Sequence, residues 1–323
     1  MFSGSTCLSR FDAALVCLAL VLASHSPAAQ PGDGPHKPIP AKDHRARPDA
    51  AEELPVTGKG SGHHAAGEVT YRDLREKLRR LLETKLRSSG TRHPCAPGYE
   101  ARTIRGWTVL VSRQLMKDDE EATERALDLL ERQLEHIIRN VPAPVVEYLR
   151  TVPLWFSPVY PAARPTAEYH PDPEWLRHHG RPLALTQCIE FTNIDIFERE
   201  TRRMPVFAFH ELAHAYHDQV LGFDNPQVQA AYRHALEQKL YEHVLRRHGD
   251  GRSTVERAYA MDNAREYFAE TSEAMFGQND FYPFTREELR EHDPTMYRLL
   301  EELWLCHPAP CRPRDKSPTK GHP

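Results

Sequence analysis

The segment FAFHELAHAYHD, Phe207 to Asp218, restricts what this chain can fold into more than any other stretch. On a helix, residues four apart share one face, one turn along. His210 and His214 therefore offer two imidazoles to one metal ion. Glu211 follows His210 by one residue and points about 100° further around the axis. Its carboxylate comes beside such an ion rather than onto it, placed to polarise a zinc-bound water. Zinc lowers the pKa of that water to about 7. The carboxylate can then accept its proton and return it to a leaving amine. The neighbours suit a helix pressed into a core. Leu212, Ala213, Ala215 and Tyr216 are uncharged, and Val206 to Phe209 read VFAF, an apolar back. A catalytic zinc needs a third protein ligand and one open position, so another segment must fold onto this helix.

His217 shares the face of His210, but a straight helix rises about 10 Å over seven residues. That is too far for both to grip one ion, and His217 is expected to pack or support. Position 220 is Val220, so the longer HExxHxxGxxH zinc pattern is absent. The remaining source is NAREYFAETSEAMFG, Asn263 to Gly277. Glu266 and Glu270 are four apart there and face the same way. One can ligate while the other steadies a histidine ring through its remaining N–H. Asp218, four past His214, is a candidate brace for that ring or a surface charge, and Arg265 is expected in a surface salt bridge.

The whole chain has 323 residues, 40% hydrophobic and 27% charged, which suits one fair-sized domain with appendages. Its net charge is −4 and no basic stripe stands out, so no nucleic-acid partner is expected. Arg10 precedes the apolar run AALVCLALVLA, Ala13 to Ala23, followed by SHSPAAQ. The run is too short for a bilayer, which needs about 20 residues. A secretory signal over 1–29 is expected, giving a secreted, extracytoplasmic protein with no membrane attachment once the signal is removed. Residues 30–68 are rich in Pro, Gly and charge and read as a disordered linker. A catalytic domain is expected over 69–305 and a loose tail over 306–323. Four cysteines remain after the signal. Spacing suggests Cys306 with Cys311, leaving Cys95 with Cys188, and four buried thiols are the other possibility.

Periodicity predicts a helix over Tyr71 to Leu86, with Leu74, Leu78, Leu81, Leu82 and Leu86 on one face. A strand is expected in Gly106 to Leu115, a helix over Glu120 to Arg139, and a strand in Val152 to Pro158. Residues 161–180 form a Pro-rich excursion. LTQCIEFTNIDIF has the alternation of a half-buried strand, with Ile189 and Phe191 on one side and Glu190 and Thr192 on the other. Further helices are expected over Val206 to Leu221, stopped by Gly222, over Pro226 to Arg247, and in the second half of Glu256 to Gly277. Thr285 with Glu288 makes a capping box, and Asp293 then Pro294 opens a last helix. Helices and strands that do not strictly alternate indicate an α+β fold.

HELAH, Tyr259 and the later E-Y-F-A-E of Glu266 to Glu270 together resemble the gluzincin arrangement. More narrowly, Val206 to Gly277 is similar to the catalytic domain of anthrax lethal factor and to the Pro-Pro endopeptidases. In that family a tyrosine precedes the glutamate ligand by seven residues, and the ligand opens an E-x-x-A-E segment; both spacings occur here. The resemblance implies a zincin-like metallopeptidase domain with an HExxH helix and a second ligand-bearing helix. It implies Zn2+ held by His210, His214 and Glu266, with Glu211 as general base. It further implies Tyr259 as hydroxyl donor to the developing oxyanion, and Glu270 as a support behind the ligands. The 52 residues from His214 to Glu266 are long for this arrangement and hold an inserted helix. The expected function is a secreted zinc-dependent endopeptidase acting on a peptide or protein substrate; the alternative is a catalytically silent zincin-fold binding protein. Substrates of zincins commonly add a strand beside a sheet edge, and CIEFTN, Cys188 to Asn193, is the candidate edge, with an interior strand the alternative.

Overall fold

The computed structural model describes residues 70–88, 96–161 and 163–306. The expected signal and linker, and the tail beyond 306, lie outside them. So do Cys95 and Cys311, and with them both expected cysteine pairings.

The chain opens with α1 (Tyr71–Ser88), whose Leu74 and Leu78 are buried. The hairpin β1 (Tyr99–Ile104) and β2 (Trp107–Ser112) follows. Ser112 ends the strand, because its side chain caps the short helix α2 (Arg113–Asp118) instead. Asp119 likewise caps α3 (Glu120–Asn140), accepting from the Ala122 N–H at 3.0 Å. Next come α4 (Ala143–Leu149), β3 (Leu154–Phe156), β4 (Ala167–Tyr169), α5 (Pro173–His178), β5 (Ile189–Phe191) and α6 (Phe197–Arg203). Then follow α7 (Phe207–Tyr216), α8 (Pro226–Glu237), the hairpin β6 (Val244–Arg247) and β7 (Ser253–Glu256), and α9 (Ala264–Phe276). Helices α10 (Arg286–His292) and α11 (Pro294–Leu303) close the described chain, with the capping box at Thr285 and Glu288 present. Among the described residues no helix is long and apolar enough to cross a membrane.

The fold is α+β, as expected, around a five-stranded mixed sheet in the order β1-β2-β3-β5-β4. The β2/β3 and β3/β5 pairs are parallel, and the two outer pairs are antiparallel. Side chains alternate across the sheet. Val109, Val111, Leu154, Phe156, Ile189 and Phe191 enter the main core. Leu110 and Trp155 point the other way, into a small cluster with Leu176, Leu185 and Cys188.

That second cluster corrects the expectation for β5. The strand is interior, between β3 and β4, and is buried on both faces rather than one. The Pro-rich excursion covers its second face, where Glu190 accepts from Tyr160 Oη at 2.8 Å and from the Arg181 guanidinium at 2.8 Å. Cys188 to Asn193 is therefore not the sheet edge. The edges are β1 and β4, and the one beside β5 is β4, three residues inside the excursion, too short to show alternation.

The helix expected over Pro226 to Arg247 stops at Glu237. Lys239 turns left-handed, with φ of 55°, and the Leu240 N–H reaches back to the Ala235 carbonyl at 3.1 Å, a Schellman-type stop. Lysine is not the residue that marks such a stop in a sequence. Val244 to Arg247 instead pairs with Ser253 to Glu256 across a turn that contains Gly249-Asp250-Gly251.

Candidate metal centre

Every residue of α7 is buried except His214, which is partly exposed. A helix apolar nearly all round belongs inside, and here the polar exceptions fall on one side. The end of this helix widens: the Gly222 N–H bonds to the His217 carbonyl, five residues back, at 2.7 Å. Trp304 wedges between α7 and α9, stacked 4.4 Å from Tyr216 of α7 and 5.7 Å from Phe268 of α9. The helices also close at Gly277, the residue after α9. A Cβ there would stand 2.4 Å from Val206 Cγ2, so only glycine permits the approach.

Asn263 starts α9. Its side-chain oxygen accepts from the Arg265 and Glu266 N–H groups at 2.9 and 3.1 Å. This fixes Glu266 in the first turn, facing α7.

There His210 Nε2, His214 Nε2 and Glu266 Oε2 converge. The two nitrogens are 3.1 Å apart, and the carboxylate oxygen is 3.2 Å from one and 3.3 Å from the other. Donors around a tetrahedral zinc, with bonds of about 2.0–2.1 Å, stand about 3.3–3.4 Å apart. The triangle fits such an ion, and two imidazoles with one carboxylate suit it chemically. These buried groups can hold a metal ion.

Burial alone would push Glu266 up and His210 down. For Glu266, His214 and His210 prevail and hold the carboxyl well below its usual range. For His210, hydrogen bonds to Glu266 and Glu273 prevail and hold the ring well above its usual range.

Glu211, also buried, accepts from the Tyr169 backbone N–H at 2.7 Å through Oε2. Tyr169 ends β4, so the edge strand and the metal helix meet at this carboxylate. Its side chain is tied to the same helix end: the hydroxyl donates to Asp218 at 2.7 Å and accepts from Gln219 at 2.9 Å. Asp218 thus braces the edge strand rather than His214. Tyr259 lies just ahead of α9. Burial, then the charges of Glu266 and Glu211, hold its phenol well above the ordinary value.

Glu270 lies 3.8 Å from His210 Nδ1, whereas Glu273 Oε2 lies 2.9 Å from it. Burial, aided by the nearby Asp280 charge, pushes Glu270 up to about 8, and burial pushes Glu273 up to about 7. Glu273 is absent from the sequence-based site, yet its signal was present: Glu266, Glu270 and Glu273 are spaced i, i+4, i+7 on one face. His217 is fully buried between Phe223 and Phe268, and burial pushes its pKa down to about 3. It packs and stays neutral. Arg265 lies 4.0 Å over the Phe223 ring. In comparisons with protein-family models, curated proteins and solved structures, no match to the chain was found.

Proposed function

We propose that the protein is a secreted zinc-dependent endopeptidase of zincin-like fold, acting on a peptide or protein substrate. The observation that carries this proposal is the triangle of His210, His214 and Glu266 donor atoms, with the buried Glu211 next to His210 in the chain. A zinc ion held by those three residues would supply a Lewis acid that polarises a carbonyl and lowers the pKa of water to about 7.

The chain's own residues supply the remaining steps. The Tyr169 N–H holds Glu211 in place through Oε2, and the carboxylate can receive a proton and pass it to the leaving amine. Tyr259 keeps its proton at neutral pH, so its hydroxyl can donate to a developing oxyanion. A substrate peptide extending beside β4 would pass Glu211, which already holds the Tyr169 N–H of that strand. Secretion rests on the apolar run of Ala13 to Ala23 and the small residues after it.

The test is purified, zinc-loaded protein incubated with a peptide library, with cleavage sites read by mass spectrometry. Glu211→Gln should keep its zinc and lose cleavage by at least about 100-fold. Cleavage at the unmutated rate would remove Glu211 as the base. Zinc uptake without cleavage in the unmutated protein would favour a binding protein on the same scaffold.

A further inference from the structure

We infer that Glu273, rather than Glu270, is the positioning residue that fixes His210 in its metal-binding tautomer. This rests on the zinc site proposed above and concerns how that site retains its ion.

The His210 ring spans two carboxylates on one helix. Its Nε2 stands 3.2 Å from Glu266 Oε2 and its Nδ1 stands 2.9 Å from Glu273 Oε2. Residues seven apart on a helix are two turns apart on one face, which brings the two carboxylates to opposite ends of the ring. Nε2 faces His214 Nε2 and Glu266 Oε2 and is the nitrogen placed to present its lone pair to an ion, so the ring's proton belongs on Nδ1, where Glu273 Oε2 at 2.9 Å accepts it. Glu270 does not share this task. At 3.8 Å from Nδ1 it is beyond hydrogen-bonding reach, and its own buried Oε2 has no partner among the described residues.

The setting of Glu273 argues against a packing role. The residue is fully buried, and its Oε1 has no hydrogen-bond partner among the described residues. A sealed carboxylate with an unbonded oxygen is costly, and an apolar residue of similar size would pack more cheaply. What only a carboxylate supplies here is negative charge behind a ligand. That charge raises the imidazole's basicity toward the ion and stops the ring from turning.

The experiment compares the full chain with Glu273→Gln and Glu270→Gln. Zinc affinity is measured by competition with a chromophoric chelator, with far-ultraviolet circular dichroism as the folding control. Glu273→Gln should weaken zinc binding by about 10–100-fold, and Glu270→Gln by less than about fivefold. With Co2+ in place of zinc, Glu273→Gln should shift the visible absorption bands, which report the ligand field and not general stability. A long-range proton–nitrogen spectrum of the unmutated, zinc-loaded protein needs no folded variant and should place the His210 proton on Nδ1. Metal on Nδ1, unchanged zinc affinity in a folded Glu273→Gln, or the larger loss in Glu270→Gln would overturn the inference while leaving the zinc site standing. No zinc uptake by the unmutated protein would overturn the site and the inference together.

Discussion

His210 is held at both ring nitrogens by carboxylates, and without an ion these outweigh burial and favour the protonated ring. An arriving zinc must displace that proton. The free protein then binds more protons than the loaded one, so affinity rises with pH, by about tenfold per unit wherever free His210 is protonated. Calorimetry in buffers of different ionisation enthalpy should report about one proton released per ion; zero would mean the ring was already neutral. Tyr259 belongs to the same scale. Tyr259→Phe should leave zinc uptake unchanged and lower peptide cleavage by about 100–1,000-fold in steady-state assays. An unaltered rate would assign the oxyanion donor elsewhere. His210 and His214 were legible in the sequence because four-residue spacing is a local property of any helix, whereas Glu266 was set apart from Glu270 only by the family resemblance. Glu273 lies in the same segment, seven residues past Glu266 on the same face, a spacing that an i, i+4 pair alone does not reveal. The Tyr169–Asp218 bond joins residues 49 positions apart and leaves no local trace.

Among the elements, α7 and α9 must approach closely enough for imidazoles and carboxylate to share one point. Gly277 sets that distance through Val206. Gly277→Ala forces a methyl into Val206 and should lower unfolding stability by about 1–3 kcal/mol, measured by urea denaturation. Adding Val206→Ala should recover part of the loss; no recovery would mean the strain lies elsewhere. The strongly periodic helices, α1 and α3, were readable to within two residues at either end. The failures have physical causes. Helix α8 ends on a left-handed lysine that no propensity marks, although the Gly-Asp-Gly of the following turn was there to be read. The edge strand β4 has three residues, too few for a period of two to declare itself.

For the whole molecule, one ion would join a helix before the α8 and β6–β7 insertion to a helix after it. Anything that binds only the folded state stabilises it, by about 4 kcal/mol at a free concentration a thousand times its dissociation constant. Chelation should therefore lower the melting temperature measured by scanning calorimetry, and re-added zinc should restore it. An unmoved transition would show that the scaffold holds without an ion. The α+β class followed from the order of periodic segments, and the donor types followed from HELAH and E-Y-F-A-E. Both are local properties, because a helix repeats every few residues and a ligand pair needs only one turn. Only the tertiary structure decided which strand is the edge, that β5 is covered on both faces, that Glu211 rests on the Tyr169 N–H, and which carboxylate stands behind His210. Each of these depends on groups brought together from distant parts of the chain, and such contacts have no period for a sequence to display.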